Sequence, residues 1–457
     1  MVASANRVVS AMQLMVSDKK HIVVGIGKTG VSCVRYLLGQ GADVEVVDTR
    51  ENPSGLDKFR SEFPHVPLRL GPLDSDYLCT ADDLVVSPGV AIATPEISRA
   101  MDVGVHVTGD IDIFSCVAEA PIIAITGSNG KSTVTTLLGE MAKNAGTKVA
   151  TGGNLGTPAL DLLDPSIELY ILELSSFQLE TTRRLGAMSA TVLNVSEDHM
   201  DRYPTIEAYH AAKHRVFNGS NNAIVNDDQP LTNPLLTQGM RVIHFGLGHP
   251  ALKKFSTISE QEEVWLAYGY QTLLPVREMK LRGKHNISNA LAALALGHTA
   301  GLPMDRMVET LKTFSGLPHR CEWVRTINSV DYINDSKGTN VGATCAAIDS
   351  LGGTISGKVI LIAGGEGKDS DFSPLKSKIN RYVSEVCVIG RDAKLIARVA
   401  EGVPVTFCDT LQDAVIRANA VARPGDLVLL SPACASFDMF DNYEQRGCRF
   451  AEAVNRL

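Results

Sequence analysis

Short apolar runs recur along the chain. Each ends in glycine or small polar residues, and most lead into stretches with apolar residues three or four apart. The first run covers 21–26 and closes in Gly25-Ile26-Gly27-Lys28-Thr29-Gly30; Val31, Val34, Leu37 and Leu38 then mark one helix face, which stops at Gly39 and Gly41. Runs at 44–47 and 84–86 end at Asp48 and at Ser87-Pro88-Gly89. Strand–helix–strand alternation at this spacing predicts a parallel sheet.

A second unit opens with the run 121–126. Its helix carries Val134, Leu137, Leu138 and Met141 on one face and ends at Gly146. Strands follow at 169–172, 191–195 and 223–225, then a β-rich stretch at 241–275 and a helix through 289–296. A third unit begins after Gly316-Leu317-Pro318. Its strands at 331–334, 359–362, 386–389 and 427–430 are each followed by a helical pattern. The expected fold class is α/β in three domains: 18–109, 110–316 and 317–457, the first and last Rossmann-like and the central one of P-loop type. Residues 1–17 read as an N-terminal extension and not a signal peptide, because no convincing cleavage site follows the stretch 8–16.

Composition narrows the class without naming a function. At 457 residues, 44% hydrophobic and 21% charged, the chain can bury a large core, which excludes disorder and a disulfide-stapled miniprotein. A net charge of −8 argues against a nucleic-acid partner. Nine scattered cysteines with no CxxC pair suggest a reducing cytoplasm and no zinc ribbon. No apolar run approaches the ~18 residues of a membrane span.

In open α/β sheets ligands sit beyond the carboxyl ends of the strands, and the unusual polar motifs fall there. Gly127-Ser128-Asn129-Gly130-Lys131-Ser132-Thr133, between a strand and a helix, offers backbone N–H groups to phosphate, a lysine charge and a hydroxyl for Mg²⁺. It is a shortened relative of the standard loop, with Ile125 where a glycine is usual. Glu173, at a strand end, is placed to hold Mg²⁺. His199 is a second candidate, although Mg²⁺ prefers oxygen to imidazole. Gly25-x-Gly27-x-x-Gly30 with Asp48, 18 positions beyond Gly30, matches a dinucleotide fingerprint. A nucleotide-sugar diphosphate fits it equally. His210 and His214, four apart on a helix expected at 206–217, read as an exposed pair and Lys213 as one more surface lysine. Two other function classes stay open at this point: a dinucleotide-dependent oxidoreductase and a non-catalytic phosphate-loop regulator.

Together, Thr126-Gly-Ser-Asn-Gly-Lys-Ser-Thr, Glu173-Leu-Ser-Ser-Phe-Gln, Asn194-Val-Ser-Glu-Asp-His-Met-Asp-Arg-Tyr, His285-Asn286, Leu317-Pro-His-Arg320, Asn334-Asp-Ser-Lys and Gly364-Gly-Glu-Gly-Lys resemble the ATP-dependent Mur ligases of peptidoglycan synthesis. Val47-Asp48-Thr49-Arg50, Ser87-Pro88-Gly89, Gly109-Asp110-Ile111 and Ser431-Pro-Ala-Cys-Ala-Ser436 are similar to the branch that adds D-glutamate. Folylpolyglutamate synthase is a more distant sister. The resemblance runs from about residue 20 to the C-terminus. It implies UDP-N-acetylmuramoyl-L-alanine, ATP and D-glutamate as substrates, two Mg²⁺ ions and an acyl phosphate; apart from the resemblance, a monomer that inserts in no membrane is expected.

It also implies roles for residues. Gly127 to Thr133 hold phosphate; Ser132, Glu173, His199 and Lys213 hold metal, with Lys213 carrying a carbamate. Lys131, His199 and Lys213 serve catalysis. Asn286, Arg320 and Asp335 take the ATP base and ribose. Gly30, Asp48, Thr49, Arg50 and Ser87 take the nucleotide part of the muramoyl substrate, with Asn154 and Ser175 nearer its reacting end. Lys337, Thr339, Lys368, Ser436 and Tyr443 form the glutamate pocket. Gly338, Glu366 and Tyr443 depart from the Ala, Asp and Phe expected there, which bears on the shape of that pocket alone.

Overall fold

In the computed structural model the described residues are 19–457, without 201, 236, 237, 262, 282 and 354; the predicted extension 1–17 lies outside them. Three sheets follow one another. The first holds β1 (Lys20–Val24), β2 (Asp43–Asp48), β3 (Leu68–Leu70), β4 (Asp83–Val86) and β5 (His106–Thr108), all parallel in the order β3-β2-β1-β4-β5. The order reverses between β1 and β4, which opens a crevice beyond their carboxyl ends.

The central sheet comprises β6 (Ile122–Thr126), β7 (Val149–Gly153), β8 (Leu169–Glu173), β9 (Ser189–Val192), β10 (Asn222–Asn226), β11 (Arg241–Phe245), β12 (Lys254–Glu260), β13 (Glu263–Tyr268) and β14 (Gln271–Pro275). Its order is β14-β13-β12-β11-β10-β9-β6-β8-β7, antiparallel only at β12-β13-β14. The third sheet is β15 (Glu322–Ile327), β16 (Val330–Asn334), β17 (Val359–Gly364), β18 (Val383–Ile389), β19 (Val405–Phe407) and β20 (Leu427–Leu430) in the order β15-β16-β20-β17-β18-β19, with β15 antiparallel.

Five strands that the apolar pattern leaves out, β3, β5, β7, β15 and β19, all lie at sheet edges. The interior strands β6, β8, β17 and β20 are buried along their whole length and so read as unbroken apolar runs. An edge strand such as β15 alternates half-buried and exposed positions, and no continuous run marks it. The helix expected at 206–217 divides into an α-helix, Ile206–His214, capped by the Thr205 side chain, and a 3-10 turn, Arg215–Phe217.

The first and central sheets share an apolar core. One cluster runs from Val23, Val34 and Val46 through Ile111 and Phe114 of the helix Asp110–Val117 to Ala124, Leu172 and Val192. Phe114 meets Tyr170 edge-on, with ring centroids 5.0 Å apart. The third sheet is covered on its two faces by separate clusters, one around Leu361 and Ile379, one around Ile362 and Phe450.

Candidate active site

The turn between β6 and the helix Lys131–Asn144 is built for close approach. Gly130 has φ +82, and a Cβ there would lie 2.5 Å from Asn289 Oδ1. The turn is pinned by hydrogen bonds from Asn129 N to Asn194 Oδ1 (2.8 Å) and from Ser128 Oγ to Ser196 O (2.9 Å). Lys131 Nζ donates to Gly127 O (2.9 Å) and Ser128 O (3.0 Å). Lys213 Nζ donates to the same Gly127 O at 3.0 Å, from a side chain that is 1% exposed. Neither ammonium forms an ion pair among the described residues. Burial lowers both lysines, Lys213 well below the ordinary value, and the charge of Lys131 adds to that fall. Two lysine nitrogens on one carbonyl make a place that an anion would stabilise.

Ser132 Oγ donates to Glu173 Oε2 at 2.5 Å and accepts from Arg320 Nη2 at 2.6 Å. Asn154 Nδ2 donates to Glu173 Oε1 at 2.7 Å. A buried carboxylate beside a hydroxyl is the hard-oxygen donor set that Mg²⁺ favours. Among the described residues no three His, Cys, Asp or Glu side chains form a metal cage. An ion here would complete its shell with phosphate oxygens and water. His199 has left-handed backbone (φ +58), and its ring packs on Phe177 with centroids 4.7 Å apart.

Two cavities of about 440 Å³ each meet at this turn, sharing Asn129, Gly130, Arg320 and Lys337 in their walls. One also touches Thr133, Asn286 and Asp335. Burial raises Asp335 to about 6, even though Ser431 Oγ (2.7 Å) and Cys321 N (3.1 Å) both donate to it. The same burial lowers His285 to about 4.

The other cavity gathers most of the remaining candidates. Ser128, Lys131, Ser132, Asn154, Glu173, Ser175, His199 and Lys213 come from the central sheet, and Thr339, Lys368, Ser436 and Tyr443 from the third. Lys337 Nζ lies 3.9 Å from the Tyr443 ring centroid, and burial, then Arg320 and Lys131, lower it to about 8. Contacts across the cleft join the two sheets. Asn340 Nδ2 donates to Asn129 Oδ1 (3.2 Å) and Asp198 Oδ2 (3.1 Å), and Lys368 Nζ stands 3.6 Å from Asp198 Oδ1.

Gly30, Asp48, Thr49, Arg50 and Ser87 line neither cavity; they cluster at the crevice of the first sheet. Asp48 is 1% exposed and fully engaged there. Its Oδ2 accepts from Ile26 N (2.9 Å) and Arg50 Nη2 (2.8 Å), and its Oδ1 from Arg50 N (3.0 Å) and Nε (2.8 Å). A carboxylate has about four acceptor positions, and protein donors fill them. Asp48 therefore fixes the Gly25 turn and Arg50, and leaves no acceptor for the ribose hydroxyls of a nicotinamide dinucleotide.

Other expectations change. Lys213 is buried, not a surface lysine. His210 and His214 are half-buried, and their Nε2 atoms reach one acceptor, Leu231 O, at 2.7 and 2.8 Å. Gly338 has a steric reason for not being Ala: a Cβ would lie 2.6 Å from Asp335 Oδ2 and 2.7 Å from Ser431 Oγ. Glu366 pairs with Arg391 at 3.1 Å.

Asp198, Tyr209 and Asn340 also line the cavity around Lys213, and Arg446 braces it, none of them expected there from sequence. Asp198 stands beside His199 in the same motif, and Asn340 caps the helix Val341–Gly352 through its side chain. Arg446 carries no sequence signal. It is 1% exposed and ties Ser336 O (2.8 Å) to Cys434 O (3.1 Å), bracing the loops that present Lys337 and Ser436.

Comparison with known proteins agrees with this arrangement. Residues 19–109 match the Mur ligase MurD-like N-terminal domain, 125–297 the Mur ligase middle domain and 319–434 the Mur ligase glutamate ligase domain. The UDP-N-acetylmuramoylalanine–D-glutamate ligase of Pseudomonas aeruginosa is 56% identical over 447 residues, 98% of this chain and 100% of that protein. Those of Pseudomonas fluorescens strain Pf0-1 and Marinobacter nauticus are 55% identical over the same lengths. Among solved structures, MurF ligase of Thermotoga maritima in complex with ADP shares the fold (TM-score 0.61, 16% identity, 97% of each chain). So does a pseudomurein peptide ligase type C of Methanothermus fervidus (TM-score 0.60, 17% identity, 96% of this chain and 100% of that one). By its three domains and these relatives, the chain belongs to the Mur ligase family.

Proposed function

We propose that this chain is the ATP-dependent ligase that adds D-glutamate to UDP-N-acetylmuramoyl-L-alanine, a cytoplasmic step of peptidoglycan synthesis on which wall growth, cell shape and division depend. The observation that carries the reading is the convergence of Lys131 and Lys213 on Gly127 O, beside Ser132 and Glu173 and across one cavity from Lys337 and Lys368. A site that couples a carboxylate to an amine through an acyl phosphate must bring carboxylate and phosphate anions together, and basic side chains on both walls of the cavity suit that task.

The terminal carboxylate of the muramoyl substrate attacks the γ-phosphorus of ATP, ADP leaves, and an acyl phosphate forms. The amine of D-glutamate then attacks the acyl carbon, phosphate departs, and the amine loses a proton. Lys131 and the N–H groups of the Gly127–Gly130 turn offset the charge that builds on the transferred phosphate. Ser132, Glu173 and His199 would hold Mg²⁺, which supplies charge neutralisation at the phosphates. Lys213, whose pKa burial lowers well below the ordinary value, can in its neutral amine form add to CO₂ as a carbamate with loss of one proton, which would turn a basic side chain into an oxygen donor for a second ion. Asn286, Arg320 and Asp335 line the cavity suited to the ATP base and ribose. Lys337, Thr339, Lys368, Ser436 and Tyr443 take the glutamate carboxylates, while Asn154 and Ser175 face the reacting end of the muramoyl substrate. Closure of the third domain over the cleft would keep water from the acyl phosphate.

The test is phosphate release with UDP-N-acetylmuramoyl-L-alanine, ATP, Mg²⁺ and a panel of amino acids. D-glutamate is expected to give the highest kcat/KM. A higher value for L-lysine, L-alanine or meso-diaminopimelate would move the chain to another branch of the family.

A further inference from the structure

Arg202 stands three residues beyond His199, yet it points away from the cleft floor to the first sheet. Its Nη1 donates to Pro88 O at 2.9 Å and its Nη2 to Val90 O at 3.2 Å, the two carbonyls that flank Gly89. Nη2 also meets Glu180 Oε2 at 2.5 Å, and Tyr203 Oη holds Glu180 Oε1 from the other side at 2.5 Å. The guanidinium carbon lies 4.1 Å from the centroid of the Phe177 ring, which also packs on His199. Arg202 and Glu180 side chains are 13% and 12% exposed, so this ion pair is mostly withdrawn from water.

We propose that Arg202 is a positioning residue that clamps the Ser87-Pro88-Gly89 loop of the first sheet to the wall carrying His199, and so sets where the reacting end of the nucleotide-sugar arrives. The inference rests on the function proposed above. The clamp acts on the crevice directly. Ser87 Oγ donates to Gly25 O at 3.2 Å and Ser87 N to Val24 O at 3.0 Å, so a shift at Pro88 and Val90 is passed to the Gly25 turn. The two sheets do not need Arg202 to stay docked, because the core through Ile111 and Phe114 already joins them. What Arg202 adds is the place of one loop relative to His199. Phe177 and Glu180, both on the helix Ser176–Glu180, give the guanidinium its second and third supports.

Arg202→Ala and Arg202→Lys in the full chain test this. Arg202→Ala is expected to raise KM for UDP-N-acetylmuramoyl-L-alanine by roughly tenfold and to lower kcat, with KM for ATP within about twofold of the parent. Arg202→Lys keeps the charge but cannot reach two carbonyls and Glu180 at once, and is expected to recover little. Guanidinium at low concentration is expected to restore part of the Arg202→Ala loss. An equal rise in both KM values, unchanged KM values with a lowered thermal midpoint, or full activity of Arg202→Lys would overturn the clamp. Should the parent turn over with no amino acid, the functional reading fails on its own. Titration calorimetry with UDP then decides the clamp: weaker UDP binding in Arg202→Ala supports it, and equal binding refutes it.

Discussion

The three glycines of Gly25-x-Gly27-x-x-Gly30 look equivalent in sequence, but their surroundings separate them. A Cβ on Gly30 would lie 1.9 Å from Gly25 O, 2.7 Å from Ser87 Oγ and 3.0 Å from Gly25 C. Two of those three atoms are backbone, so they cannot rotate aside. Ordinary carbon–oxygen contact is about 3.3 Å, so Gly30→Ala must push the helix Lys28–Gly39 off the β1 turn by more than an ångström. Overpacking of that kind costs roughly 1–3 kcal/mol, and the midpoint of a cooperative unit of about 300 residues should fall by roughly 1–2 °C per kcal/mol. A Cβ on Gly27 meets nothing within 4 Å, and its φ of −68 suits any residue. Gly27→Ala should leave the midpoint unchanged. If the nucleotide-sugar diphosphate lies against this turn, the same variant should still raise KM for that substrate, because the added methyl stands where phosphate approaches the backbone. Differential scanning fluorimetry and KM determinations on both variants read the two effects apart. Equal midpoints for Gly30→Ala and Gly27→Ala would refute the steric reasoning, and an unchanged substrate KM in Gly27→Ala would remove the diphosphate from this turn.

Two further outcomes follow from the lysines. Lys213→Ala should lose most activity and regain part of it with a short carboxylic acid, or, for the parent enzyme depleted of CO₂, with added bicarbonate; phosphate release measures both, and absence of rescue counts against the carbamate. Lys337, lowered to about 8, carries its charge below that pH and loses it above. Glutarate, which has two carboxylates and no amine, should therefore compete with D-glutamate less well as pH rises past 8, and an inhibition constant flat from about pH 7 to 9.5 would exclude Lys337 from the carboxylate contact. The linked stability effect has the opposite sense: the folded Lys337 binds fewer protons than the unfolded one between about 8 and 10.5, so the cost of burying its charge is full below 8 and relieved as pH rises.

The interior strands and the helix faces were legible because each buries a full apolar run or stripe. The edges were not, since β3 and β19 expose as much as they hide. The phosphate turn with Lys131, and Glu173, could be found because strand-end motifs in α/β sheets point at ligands. Lys213 could not be placed from its own surroundings in sequence: His210 and His214 flank it on a helix whose buried face also holds Tyr209 and Ala212, and only the packing of that helix aims Nζ at Gly127 O. Asp48 shows the opposite case, a motif acid at the expected spacing whose acceptor positions are used inside the protein. Arg446 and Arg202 act through carbonyl groups of distant loops, and backbone acceptors leave no trace in residue identity.

The apolar core that fuses the first two sheets stops short of the third. No cluster among the described residues contains residues from both the central and the third sheet, and the bonds between them run through Asn340, Arg320 and Lys368 to polar side chains. Water can replace such bonds one for one, whereas it cannot replace a shared core. The molecule therefore has one welded joint and one wet hinge. A calorimetric scan should resolve the first two sheets as a single cooperative transition apart from the third, and salt should loosen the hinge while leaving the weld intact.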